Sequence, residues 1–196
     1  MTRSPALVTL LALSLGACAS NGPPPVLLTL PAGTSPTPAP TPTAASGTLV
    51  VRRVTVPEYL QSRRVRYRAD ASTLQAWPGV SWAERLEVGA TREFAAALRR
   101  MLPGWTICEG TCASGQAELS LQLDLRPLDF VRGEKALHAS ARWSLSPVST
   151  TSAPYNGHLE ARIPAQGDTP QGHAQAISEF LQALAKAVAE RADAPR

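Results

Sequence analysis

Catalytic signatures are missing from this 196-residue chain. It holds no Gly-x-Ser-x-Gly elbow, no phosphate-binding P-loop, no His-Glu-x-x-His zinc motif and no Gly-x-Gly-x-x-Gly after a strand. The enzyme classes that depend on those motifs are excluded, and the expectation is a protein that is not an enzyme and needs no cofactor and no metal. Histidine is scarce, at His138, His158 and His173. His138 and His158 fall on polar positions of alternating runs, which puts both on a solvent face. Two cross-strand histidines could bind a metal, but solvated histidines without a partner are the simpler reading. The formal charge of +4 is too small an excess to point to nucleic acid. No second apolar run reaches the roughly 20 residues that a spanning helix requires.

The N-terminus is richer. Arg3 is the one charge before residue 18, and Ala6–Leu15 follows it as an apolar run of about ten residues. This is the layout of a signal peptide over residues 1–17, too short to remain as a membrane span. The run ends in Leu15-Gly16-Ala17-Cys18, which resembles the lipobox of bacterial lipoproteins, where a diacylglycerol is joined to the cysteine before cleavage. Each buried CH₂ contributes about 0.8 kcal/mol and one acyl chain holds only marginally, so several chains on Cys18 would make a lasting anchor. Ala19 and Ser20 follow, with no aspartate at the position that signals inner-membrane retention in such lipoproteins. The expected location is the outer membrane, on its periplasmic face.

With Cys18 consumed by lipid, Cys108 and Cys112 remain. An even pair in a secreted chain reads as a disulfide, worth about 2 kcal/mol on the chain-entropy model. A redox pair would have two intervening residues at a helix start, and a zinc site would need two further ligands. Here three residues intervene, after Pro103-Gly104-Trp105.

Residues 18–47 form a lipidated N-terminus and a Pro/Thr-rich spacer, with polyproline II character over Thr34–Thr43. Within it, Val26-Leu27-Leu28-Thr29-Leu30 is short and apolar, and a first strand at 26–30 is the favoured reading. If it joins the sheet the tether is about seven residues, or ~20 Å; if not, about thirty residues and ~90 Å.

From residue 48 to 192 the pattern is that of one domain. Leu49–Val51 and Val54–Val56 read as a strand that stops at Pro57. Val65, Tyr67 and Ala69 alternate with Arg64, Arg66 and Arg68, giving a strand with one apolar and one basic face. Ser81–Glu87 reads as a short strand or extended segment. Phe94, Leu98, Met101 and Leu102 share one side of a helix over Thr91–Leu102, ended by Pro103-Gly104. Glu118–Arg126 alternates leucine with polar residues. After a turn at Arg132-Gly133-Glu134 comes a second alternating run, Leu137 to Leu145, and after Asn156-Gly157 a third, Leu159 to Ile163. Pro170–Arg191 is a helix with Ile177, Phe180, Leu181, Leu184 and Val188 on one stripe. The expected class is α+β: an antiparallel β-sheet of five to seven strands, with two main helices packed on one face.

Two features suggest a contact surface. Arg52, Arg53, Arg63, Arg64, Arg66 and Arg68 crowd together, opposed only by Glu58. Arginine forks bind phosphate and carboxylate, so Arg63, Arg64, Arg66 and Arg68 are candidates for lipid head groups or an acidic partner. They could equally be charges that keep a strand soluble and unpaired. Tyr59 and Leu60, in the loop expected after Pro57, are either a contact patch or a lid folded over the core.

The Val54-x-Val56-Pro57-Glu58-Tyr59-Leu60 run continuing to Val65-x-Tyr67-Arg68, then Trp82-Ala83-Glu84-Arg85-Leu86, the Thr91–Leu102 stretch and Ala141–Leu145, resemble the PqiC/YmbA-type family of ABC transport auxiliary lipoproteins. That family usually has a tyrosine where this chain has Val26-Leu27. The Cys108–Cys112 segment and the Pro/Thr spacer are departures that the pattern does not explain. The resemblance implies a non-enzymatic outer-membrane lipoprotein working with an MCE-domain protein, an ABC permease and an ATPase to move lipid between membranes, in a possible homo-oligomer. It supplies no catalytic residue. The competing class is a structural or assembly lipoprotein of the envelope, such as a barrel-assembly or lipopolysaccharide-export partner.

Overall fold

The structure, a computed structural model, describes residues 23–31, 47–113, 117–149 and 153–192. The expected signal peptide over residues 1–17, Cys18 as the expected lipidation site and most of the Pro/Thr-rich stretch lie outside these residues. In chain order the elements are β1 (Val26–Leu28), β2 (Gly47–Val51), β3 (Arg64–Arg68), β4 (Leu74–Trp82), α1 (Leu86–Met101), β5 (Trp105–Glu109), β6 (Leu119–Val131), β7 (Ala136–Pro147), β8 (Tyr155–Pro164) and α2 (Pro170–Ala192).

The leucine alternation of β6 organises the sheet. Leu119, Leu121, Leu123 and Leu125 are buried on one face, opposite Leu145, Trp143 and Ala141 of β7. β7 bonds antiparallel along almost the whole of one edge of β6, and β8 bonds antiparallel to β7. The other edge of β6 is shared. β2 lies parallel to its N-terminal part through Leu49↔Leu119 to Val51↔Leu121, and β3 meets its C-terminal end at Arg68↔Val131. From there the sheet forks, one arm passing to β5 and the other through β4 to β1.

The α+β class and the two covering helices therefore stand, while the sheet has eight strands and its pairing is mixed. β1 with β4, β2 with β5 and β6, and β3 with β6 are parallel. Alternation tells which residues share a face but nothing of strand direction, so the parallel pairings left no mark in the pattern.

β1 settles the spacer. Val26, Leu27 and Leu28 pair with Val80, Ser81 and Trp82, and the Ala83 N–H donates to the Leu28 carbonyl at 2.8 Å. The Pro/Thr-rich residues accordingly join two strands of one sheet instead of separating the domain from residue 18.

Three local expectations change. Ser81–Glu87 divides between the end of β4 and the first turn of α1, which begins at Leu86, five residues before Thr91. Leu86, Ala90, Phe94 and Leu98 are all buried and spaced by four, so the apolar stripe extends to the true start. Asn156-Gly157 is not a turn, because β8 already runs through it. Gly157 pairs with Trp143, and a Cβ there would stand 2.1 Å from the indole Cε2. β5 was not expected at all, although Trp105 and Ile107 are buried on either side of exposed Thr106.

α2 packs against β1, β7 and β8, and α1 against α2 and β5. Phe94, Leu98, Ile177, Phe180, Leu181 and Leu184 are fully buried between helices and sheet. Complete burial of such side chains stabilises by about 1.5–3 kcal/mol each before entropy. Among the described residues, no helix is long and apolar enough to cross a membrane.

Candidate functional site

Among the described residues both α-helices pack on the leucine-bearing side of the sheet, and the polar side chains of β6, β7 and β8 lie on the other. Pro57 ends the chain's run beside β6, and Glu58–Leu60 makes one turn of 3-10 helix before β3. Leu60 points into the core, 5% exposed. The Tyr59 hydroxyl donates to Oδ1 of Asp129 at 2.7 Å, and Arg68 Nε donates to Oδ2 at 2.6 Å. Asp129 is 7% exposed, so both of its oxygens are satisfied by groups distant in sequence. Burial, reinforced by the hydrogen bond to Asp129, pushes the Tyr59 hydroxyl up to about 12.

Tyr59 and Arg68 are thus parts of a clasp that ties the 58–60 turn to β6, and Leu60 is core. Leu60 takes the folded-back alternative that the sequence allowed, while Tyr59 and Arg68 remain half-buried. Of the remaining candidates, Arg63 and Arg64 are exposed, and Arg66 is half-buried with Nε 3.4 Å from Ser62 Oγ. Those three share no site with Tyr59 or Leu60 beyond lying on one strand and its approach.

A larger feature lies at the other end of β6. An open trough of about 1050 Å³ has Gln122 and Asp124 of β6, Arg142 and Ser144 of β7, and His158 of β8 in its lining. Arg52 and Arg53, just after β2, join them, and Arg126 completes the set. Four arginines therefore face a single carboxylate. Arg126 already takes that carboxylate, with Nε 2.7 Å from Asp124 Oδ1 and its second nitrogen on Oδ2. Arg52 Nε reaches only a hydroxyl, Ser120 Oγ at 3.3 Å. Among the described residues, Arg52, Arg53 and Arg142 have no carboxylate partner.

Sequence reasoning singled out Arg52 and Arg53 but could not add Arg142 or His158, because register across three strands brings them together. Asp129 was missed because Pro127 made β6 seem to end at Arg126. His138 and His158 do lie on the polar face, yet they are not opposite each other: His138 pairs with Arg162 and His158 with Arg142. His138 Nε2 sits 2.8 Å from Glu134 Oε2, and His158 Nε2 is 3.3 Å from Ser140 Oγ. Among the described residues, no group of three His, Cys, Asp or Glu side chains is placed to hold a metal ion. Cys108, in β5, is bonded to Cys112, with Cα atoms 5.2 Å apart.

Comparison with protein-family models matches residues 29–189 to the ABC-type transport auxiliary lipoprotein component. The chain belongs to that family. The match begins in the residues just after β1 and ends within α2, so it takes in the trough and the Asp129 clasp together. No relative is found among curated proteins. Among solved structures, the crystal structure of an uncharacterized protein is 18% identical, with TM-score 0.70, covering 86% of this chain and 99% of the other. A Xanthomonas campestris protein of the DUF330 family is 15% identical, with TM-score 0.63, covering 84% and 90%. At such identities the two structures share the fold with this auxiliary lipoprotein and nothing finer is drawn from them.

Proposed function

We propose that this chain is an outer-membrane-anchored, periplasmic accessory subunit of an MCE/ABC-type lipid transport system, lipidated at Cys18 and without catalytic activity of its own. Family membership carries the reading, since an auxiliary lipoprotein of an ABC-type transporter contributes placement and contacts, while the ATPase supplies the work. The position of β1 supports it. Cys18 stands eight residues before Val26, so the domain is held within about 26 Å of the membrane even with that stretch fully extended. Val26 and Leu27, 55% and 62% exposed, offer an apolar edge on that same strand. Exposed Arg63 and Arg64 provide a basic rim two strands away, since Arg64 pairs with Ser81 and Ser81 with Leu27.

The test is purification of the intact lipoprotein from detergent-solubilised envelopes, with bound proteins identified by mass spectrometry. The expected companions are an MCE-domain protein, a permease and an ATPase. Recovery of barrel-assembly or lipopolysaccharide-export components instead would replace the reading with the assembly alternative. Cys18→Ser is expected to release the protein from the outer-membrane fraction, and its retention there would remove the anchor.

A further inference from the structure

We propose that the trough beside β6, β7 and β8 is a binding site for a phosphate ester, with Arg53 and Arg142 as its principal ligands and Arg52 as a third. The assignment stands on the trough's own chemistry and is independent of which transporter the protein serves.

Charge and its disposition carry the argument. Several arginines elsewhere meet acids, Arg68 with Asp129, Arg92 with Glu84, Arg99 with Glu109, Arg132 with Asp168 and Arg162 with Glu134. Among the described residues Arg63, Arg64 and Arg66 are unpaired with any acid but line no comparable concavity. In the trough the ratio reverses, and the one carboxylate present is occupied by Arg126. Three guanidinium groups from the β2 exit and β7 are left around a concave space with no carboxylate at ion-pair distance among the described residues. Like charges gathered in this way repel, and a bound anion would relieve that repulsion.

Size and donor type narrow the anion. The volume, about 1050 Å³, is in the range of ligand sites and far exceeds what a single inorganic ion fills. Arginine presents paired N–H groups in a fixed fork that matches two oxygens of one phosphate, and such charge-assisted bonds are about twice as strong as neutral ones. Gln122, Ser144 and Asn156 add neutral hydrogen-bonding groups suited to the hydroxyls of an esterifying group. His158, 3.3 Å from Ser140, lies at the same wall as its cross-strand neighbour Arg142. A phosphate carrying a small polar alcohol, as in a glycerophospholipid head group or a free phosphomonoester, satisfies both features.

The test is calorimetric titration of the intact lipoprotein in nonionic detergent at low salt, with inorganic phosphate, glycerol 3-phosphate and dihexanoylphosphatidylglycerol as probes and detergent alone as the blank. Both esters are expected to bind more tightly than inorganic phosphate. Preference for the lipid assigns the site to a head group, and preference for glycerol 3-phosphate assigns it to a soluble ester. The double variant Arg53→Ala/Arg142→Ala is expected to weaken ester binding by about tenfold or more, with circular dichroism confirming its fold. Arg63→Ala/Arg64→Ala, on exposed arginines outside the trough, is expected to stay within about twofold of the parent. Absence of binding by every probe at millimolar concentration overturns the proposal, as do equal losses in the two double variants. Tighter binding of polyglutamate than of either ester would reassign the trough to an acidic protein segment and equally overturn it.

Discussion

The two ends of β6 use arginine in opposite ways. Toward Val131, a buried Asp129 draws in Arg68 and the Tyr59 hydroxyl, and nearby Arg132 bonds Asp168 at 2.9 Å while lying 4.8 Å from the Tyr67 and Trp77 ring centres. Toward Leu119, Arg52, Arg53 and Arg142 border an open trough with no carboxylate of their own. The difference follows from where the acids are. A carboxylate taken out of water must be paired and hydrogen-bonded, so Asp129 recruits cations from other elements and becomes a fastening. Where the acid is scarce and already paired, as Asp124 is with Arg126, the other arginines stay solvated and free to receive an anion. One residue type closes the fold at one end and leaves it chemically open at the other.

The sharpest way to break this comparison is at Asp129. Asp129→Ala deprives Arg68 and Tyr59 of their acceptor beside the core and is expected to cost about 3 kcal/mol, measured by urea unfolding at neutral pH. A loss below about 1 kcal/mol would mean that the clasp adds little, and that the two ends of β6 differ only in appearance. At the trough end the vulnerable position is a glycine. Gly157→Ala would set a methyl group 2.1 Å from the Trp143 ring, and Trp143 is itself buried in the core. The strand or the indole must shift, at a cost of about 2 kcal/mol, read as a lowered Tm.

Acid offers a third handle, from beneath the clasp. His173, in the first turns of α2, is 2% exposed and packs 4.9 Å from the Phe130 ring and 6.1 Å from Trp82. Neither of its ring nitrogens has a hydrogen-bond partner among the described residues. Burial lowers its pKa from 6.5 to about 3. Between those two values the unfolded chain takes up a proton that the folded chain refuses. Stability is therefore complete above about pH 6.5 and falls as the pH drops, by up to about 1.4 kcal/mol per unit, levelling off only near pH 3. His173→Leu is expected to flatten that slope, measured by denaturation at a series of pH values. An unchanged slope would show that other groups govern acid sensitivity.

Much of the covered side of the sheet was legible in the sequence. The leucines of β6, the Leu137–Leu145 run of β7 and the α2 stripe all obey one period for their whole length, and those residues are buried as the pattern requires. Period failed where the backbone changes phase. In β4, Pro78-Gly79 interrupts the alternation, Gly79 adopts φ +65°, and between Arg64↔Ser81 and Arg66↔Ala76 the strand carries extra residues in a bulge. Trp77 and Trp82 therefore both reach the core from either side of that interruption. The trough was illegible for a different reason. Arg142 and His158 look like ordinary polar-face residues until β7 and β8 are set beside β6, so the site exists only in the register. Burial of Leu60 was likewise undecided locally, because Pro57 fixes where a strand stops but not where the following turn folds.

The smallest expected effect is the one that most sharpens the contrast. Arg53→Gln and Arg142→Gln, singly, are expected to leave unfolding free energy within about 0.5 kcal/mol of the parent, whereas Arg68→Gln should lose more than either. The sign at the trough follows from Coulomb repulsion. Arg52 and Arg53 are neighbours in sequence, and the nearby acids Asp124 and Glu109 are paired with Arg126 and Arg99, so removing one positive charge relieves repulsion while breaking no ion pair. Salt then separates the two ends. Screening at about 0.15 M, where the Debye length is near 8 Å, should stabilise the parent slightly and the trough variants less, because the repulsion being screened is already reduced. At the clasp, where Asp129 is buried, the same salt should change the cost of Arg68→Gln very little. Unfolding measured at low and physiological ionic strength decides the matter: a salt response identical in the parent and in Arg53→Gln would mean the trough arginines do not feel one another, and the charge imbalance there would have no energetic consequence.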